Sequence, residues 1–156
     1  MSSGDLLRNE VLGGSEKGKQ LFSVMSQGLL VPDAEVVELI KVAMAAKAGN
    51  TKGFILDGFP ANLAQAKLFV ENIGAPTKII VLNVNDILLK ERLAKRSNFD
   101  DQPDAIAKRL DTFANQTKPV LKEFANLVVN VSIISICKLL VIYLFLKELM
   151  KAFSLN

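Results

Sequence analysis

Apolar residues recur along this chain at two different intervals, and the change from one to the other sets the expected architecture. Asp5 to Val11 has helical character, with Ser3 or Gly4 near its start and Gly13-Gly14 as its stop. Ser15 to Gln27 reads as a second helix that puts Leu21, Phe22 and Met25 on one face and ends at Gly28. Leu29-Leu30-Val31-Pro32 is expected to be extended, because a residue before proline is pushed out of the helical region. Asp33 is expected to cap a long helix whose apolar positions Val36, Val37, Ile40 and Met44 keep helical spacing. Gly53 to Gly58 is then an unbroken apolar run closed by Asp-Gly, the pattern of a buried parallel strand. A helix over Asn62 to Ile73, a strand over Lys78 to Val84, a helix from Asp86 to about Arg96 and a loop over Ser97 to Pro103 follow. Asp104 to Phe124 predicts one amphipathic helix, bent or interrupted near Pro119. Apolar strands alternating with helices predict an α/β fold with a parallel sheet.

The pattern changes over the last thirty residues or so. Leu127 to Val131 predicts one more strand, and Ile133 to Phe153 predicts a terminal helix, almost all of it apolar. Leu127 to Leu146 also has the length that spans a bilayer. Lys138, Asn130 and two serines interrupt it, and a lysine at mid-span costs about 2.5–3.5 kcal/mol on insertion scales, which favours a buried terminal helix.

Composition narrows the function classes. Half of the 156 residues are apolar, enough for a core in one domain, and no internal repeats or low-complexity tracts appear. The net charge of +3 is spread along the chain, which argues against a nucleic-acid surface. Histidine is absent, removing imidazole acid–base chemistry and most zinc sites. Cys137 stands alone, so a reducing compartment is the default, and the N-terminal residues carry no signal-peptide pattern; the expected location is the cytoplasm.

Four clusters hold candidate chemistry: Ser2-Ser3-Gly4-Asp5-Leu6-Leu7-Arg8, Asp57-Gly58-Phe59-Pro60, Arg92 with Arg96, and Asp100-Asp101 followed by Arg109. Each has an ordinary reading as a cap, a turn or a solvated helix face. Together they suit phosphoryl groups. Arginine forks match phosphate oxygens, and a carboxylate at the end of a parallel strand lies where open α/β sheets bind ligands. Phosphoryl transfer needs mainly positioning and charge neutralisation, which arginines and a metal-orienting Asp supply without histidine.

The same residues, with Gly28 to Pro32, Gly53 to Pro60 and Lys108-Arg109-Leu110, resemble the short-lid adenylate kinases and their UMP-CMP kinase relatives from Ser2 to about Phe124. The resemblance implies a three-layer doubly wound parallel sheet of the nucleoside monophosphate kinase type and transfer of a phosphoryl group from ATP to AMP with Mg²⁺. By position, Arg8 would bind the monophosphate's phosphate, Ser3 and the Val31 backbone would lie near its base, Gly58 would line the pocket and Gln65 would read adenine. Arg92 would face the ATP side, Arg96 and Arg109 would stabilise the transferring group, and Asp57 would orient Mg²⁺ through water. Asp100 and Asp101 would form the hinge of a short lid. The implied partners are ATP and AMP, with no nucleic acid, and a monomer.

The departures from the family pattern are specific. No Gly-x-x-x-x-Gly-Lys-[Ser/Thr] occurs, and Gly14-Ser-Glu-Lys-Gly18-Lys19 has the wrong spacing. The family's first strand and phosphate loop are therefore expected to be missing, leaving the Phe54 and Ile79 strands without their shared neighbour, a reduced sheet of two to four strands and impaired activity. Ala61 stands where the family has a phosphate-binding arginine, and Ser97-Asn98-Phe99 is a shortened lid. The expected organisation is one domain over 1–156: a helical monophosphate-binding part at 1–50, core strands at 51–96, the lid at 97–103 and the atypical apolar segment at 127–156. The alternatives are a non-catalytic AMP-binding remnant or a truncated product, membrane-associated through 127–146.

Overall fold

The computed structural model describes residues 1–83, 86–95, 98–132 and 141–146. Val84, Arg96 and Ser97, assigned above to a strand end, a helix end and the lid, lie outside the described residues, as do 133–140 and 147–156.

The N-terminal third is a helical unit built on local caps. Helix α1 (Ser3–Leu12) starts behind Ser2, whose hydroxyl accepts from the Asp5 N–H. Helix α2 (Glu16–Ser26) starts behind Ser15, which accepts from the Gly18 N–H at 2.9 Å. Helix α3 (Asp33–Ala45) corrects one expectation: Pro32 holds the cap position with no side-chain bond, and Asp33 is the first helical residue. The Asp33 carboxylate instead accepts from Asn62 Nδ2 at 2.9 Å, while Asn62 Oδ1 caps helix α4 (Leu63–Asn72) through the Gln65 N–H. One asparagine thus ties the starts of two helices together.

Strands β1 (Gly53–Asp57), β2 (Lys78–Asn83) and β3 (Val128–Ser132) run in the same direction, as expected, with Ile79 opposite Val128. Helix α5 (Asp86–Ala94) follows β2. The long C-terminal helix is interrupted where expected. Helix α6 (Pro103–Thr112) passes through one wide π-type turn at Phe113–Thr117 into α7 (Lys118–Glu123), with Pro119 in the first turn of α7. Pro119 has no N–H to donate back along the helix, so widening the preceding turn absorbs the missing bond.

The last strand is the main correction. Val141–Leu146, expected within a terminal helix, is strand β4, and the sheet order is β1-β4-β2-β3. It lies antiparallel to both neighbours, with Leu56 and Ile79 each opposite Tyr143. The gap expected between the Phe54 and Ile79 strands is therefore occupied. A row of backbone donors and acceptors on two apolar edges is costly to leave unmatched, and Val-Ile-Tyr-Leu-Phe-Leu suits a pleated strand as well as it suits a helix. Tertiary demand decides between the two. Among the described residues no helix is long and apolar enough to cross a membrane.

The core lies on one face of the sheet, where Phe54, Leu56, Ile79 and Val81 pack with Val36, Val37, Ile40, Met44 and the tilted pair Phe59–Phe69. On the opposite face Ile55 and Val129 are exposed. The outer edge of β1 carries the start of the chain: the Met1 amine donates to the Ile55 carbonyl, the Asp57 N–H to the Met1 carbonyl, and Ser2 bridges Asp57 in parallel.

Candidate functional site

A cleft of about 490 Å³ opens where β1 ends, between α1, the 28–31 link and α6. Its floor is the Asp57-Gly58 turn. Gly58 has φ +72°, which turns the chain sharply out of the strand, and Ser3 Oγ reaches over it to donate to the carbonyls of Asp57 and Gly58 at 3.3 and 3.1 Å. The start of α1 is thereby pinned to the strand end, and α1 directs Arg8 one turn later into the same space.

Arg8 is held by two carboxylates. Its Nη2 pairs with Asp5 at 2.6 Å, and its Nη1 lies 3.2 and 3.4 Å from the two oxygens of Asp100. Asp100 is 5% exposed and also accepts from Arg109 Nη1 at 3.1 Å. Arg109 Nη2 pairs with buried Asp101, which accepts in turn from Asn98 Nδ2 at 2.9 Å. Arg109 Nε is buried without a hydrogen-bond partner among the described residues. Two guanidinium groups from α1 and α6 thus converge on one carboxylate, an arrangement made for an oxyanion. Phe99 packs against Phe22 of α2 with ring centroids 4.9 Å apart.

The far wall is neutral. Gln65 is 2% exposed, and its Oε1 accepts from the Ala61 N–H at 2.8 Å. That bond fixes which end of the amide is oxygen and leaves the NH₂ end for the cleft that Gln65 lines. Thr117 Oγ1 donates to the Ala61 carbonyl at 2.7 Å, so both polar groups of the Ala61 backbone are satisfied by side chains. Val31, buried, completes this wall with Leu29, Leu30 and Pro60.

Of the residues singled out in the sequence, Ser3, Arg8, Val31, Asp57, Gly58, Gln65, Asp100 and Arg109 line this one cleft. Asp101 stands behind them, bonded to Arg109. Arg92 sits on α5, where its neighbours Leu89 and Leu93 face the cleft instead. Arg96 lies outside the described residues. Three participants carried no strong sequence signal. Asp5 and Asn98 read as ordinary cap and loop residues. Thr117 reads as a polar break in an amphipathic helix, and only the wide turn at Phe113–Thr117 brings it to Ala61.

Among the described residues no three acidic or thiol side chains form a metal-holding group. Of the cleft's carboxylates, Asp5 and Asp100 are paired with Arg8, and Asp57 at the end of β1 is the one that fits Mg²⁺, which keeps most of its waters and is commonly held by one or two carboxylates and a substrate's own phosphates.

Comparison with known proteins agrees with this geometry. The adenylate kinase family model matches residues 1–129. Adenylate kinase isoenzyme 1 of Cyprinus carpio is 43% identical over 125 residues, and that of Homo sapiens 39%; each alignment covers 78% of this chain and 64% of the relative. Adenylate kinase isoenzyme 5 of Mus musculus is 38% identical over the same share of this chain and 22% of its own length. The match thus spans somewhat less than two thirds of the isoenzyme 1 relatives.

Proposed function

Since this chain belongs to the adenylate kinase family, we propose that its cleft is the monophosphate half of a phosphoryl-transfer site and takes AMP. The observation that carries this reading is the convergence of Arg8 and Arg109 on one carboxylate beside a neutral wall that ends in Gln65. A nucleoside monophosphate needs those two environments side by side: guanidinium donors for the phosphate and an apolar slot with one amide for the base. Gln65 can read adenine: its NH₂ can donate to a ring nitrogen and its carbonyl oxygen, with a lone pair to spare, can accept from the exocyclic amine, whereas uracil presents a donor and an acceptor in the opposite order. Ser3 and the Val31 backbone hold the base end of the slot and Gly58 leaves room for the nucleoside.

In the full reaction Arg92 would face the ATP side, Arg96 and Arg109 would stabilise the transferring group, and Asp57 would orient Mg²⁺ arriving with ATP. These 156 residues contain no phosphate loop motif, so nothing in them offers the backbone cradle and lysine that hold the β- and γ-phosphates. We therefore expect AMP to bind without measurable turnover. The test is calorimetric titration with AMP and adenosine, run beside a coupled assay for ADP formation, on the wild-type chain and Arg8→Ala. Loss of about 1.5–3 kcal/mol of AMP affinity in Arg8→Ala, with adenosine unaffected, is the expected result. ADP formation that disappears in Arg8→Ala would replace this reading with a working kinase. AMP binding indifferent to Arg8 would remove the site.

A further inference from the structure

We propose that Asp100 is an internal competitor for the phosphate seat, a carboxylate of the chain's own that covers Arg8 until a ligand phosphate displaces it. This rests on the reading of the cleft as a monophosphate site.

Arg8 and Asp100 are 92 positions apart, so their contact links α1 to the segment that leads into α6. Arg8 Nη1 is the donor that Asp100 takes, at 3.2 Å, and Nη2 is already engaged by Asp5 at 2.6 Å. A phosphate arriving at this guanidinium meets two anions in place. Sharing Nη1 with Asp100 at that distance would put two like charges within a few ångströms in a largely buried place, which favours the release of one of them.

Asp5, whose side chain is 68% exposed, can turn to water and free Nη2, but that leaves Nη1 covered. Asp100 can free Nη1 because it keeps Arg109 Nη1 at 3.1 Å when it releases Arg8, so its carboxylate is never stranded in the protein. Arg109 in turn keeps Asp101, whose side chain is 1% exposed. The carboxylate therefore has two arrangements, one shared between the arginines and one on Arg109 alone. In the shared form the phosphate seat is filled and α1 is tied to the lid segment. In the other, Arg8 is open to a ligand. A site that is open in only a fraction of molecules binds more weakly by that fraction, and an open fraction of about one tenth would cost tenfold in affinity.

The experiment is calorimetric titration of the wild-type chain, Asp100→Asn and Asp104→Asn, with AMP and with adenosine as probes. Asp100→Asn should bind AMP about tenfold more tightly and adenosine as the wild type does. Asp104, exposed in the first turn of α6, loses the same charge close by in Asp104→Asn, which should change AMP affinity less than about twofold. AMP affinity unchanged or weakened in a folded Asp100→Asn, or raised equally by Asp104→Asn, overturns the competitor and leaves the nucleotide site standing. No binding of AMP or adenosine by any of the three overturns both readings. Should Asp100→Asn fail to fold, the carboxyl ¹³C signal of Asp100 in the labelled wild-type chain decides. It should move with the same midpoint as AMP binding, and a signal indifferent to saturating AMP overturns the proposal.

Discussion

Gln65 does two things at once, and they can be separated by substitution. Its carbonyl oxygen satisfies the Ala61 N–H, and its NH₂ end is left as a donor on a largely apolar wall. Gln65→Met keeps the length of the side chain and removes both. The orphaned Ala61 N–H should lower stability by about 1–3 kcal/mol in urea unfolding. Under the AMP reading, the preference for AMP over UMP should fall in the same variant; a preference that survives would move base recognition elsewhere. Ala61 gives the opposite test. Its backbone is fully engaged by Gln65 and Thr117, while its side chain lines the cleft and carries no charge. Ala61→Arg adds a third guanidinium without disturbing those bonds, and AMP should bind more tightly by about 1.5 kcal/mol, roughly tenfold. An equal gain for adenosine would show that the new arginine is not meeting phosphate.

Among the elements, those with a strong local signal were legible in the sequence. Ser15 before an amphipathic run, Gly28 behind it and Val36, Val37, Ile40 and Met44 at helical spacing place α2 and α3 almost without tertiary information. Phe54 and Leu56, or Ile79 and Val81, sit in short apolar runs bounded by turn residues, and they are buried as such runs should be. The cleft was legible in its composition but not in its pairing. The family resemblance assigned Arg8 and Arg109 to phosphoryl groups and Asp100 to a lid hinge, whereas which carboxylate meets which arginine depends on how α1 and α6 approach. Gly28 governs part of that approach. It has φ +69°, and a Cβ there would lie 2.6 Å from Ala105 Cα, a backbone atom of α6 that cannot swing aside. Gly28→Ala should cost about 2–5 kcal/mol, the sum of left-handed strain and overpacking, and be read as a lowered urea midpoint. A loss under about 1 kcal/mol would mean that α6 can withdraw from the 28–31 link, and the cleft would then be adjustable rather than fixed.

For the whole molecule, the deciding element is the one the sequence reading placed in a terminal helix. Val141–Leu146 carries neither the alternation of a half-buried strand nor a helical stripe, because all six residues are apolar. What selects a strand is the seat: β1 and β2 each present an edge, and β4 pairs with Gly53 to Asp57 on one side and Lys78 to Val81 on the other. Its direction is opposite to theirs, which costs nothing in hydrogen bonding, since antiparallel ladders are at least as stable per residue as parallel ones. The sheet that positions Asp57 and Gly58 under the cleft is therefore continuous only through a segment outside the 1–129 family match. This makes the C-terminal residues a requirement for the N-terminal site. Removing 133–156 should leave β1 and β2 with facing unpaired edges, and the shortened chain should aggregate or lose its cooperative unfolding transition. Proline at Leu144, opposite Ile55 on one side and Lys78 on the other, should act in the same direction by about 3 kcal/mol or more within the intact length. Amide exchange reads the outcome directly: in the wild-type chain Phe54 to Leu56 and Ile79 to Val81 should be among the slowest exchanging residues, and the proline should release both sets together. Protection that persists in β1 and β2 after either change would mean that the two strands are held by their helices alone, and the site would then be independent of the apolar tail.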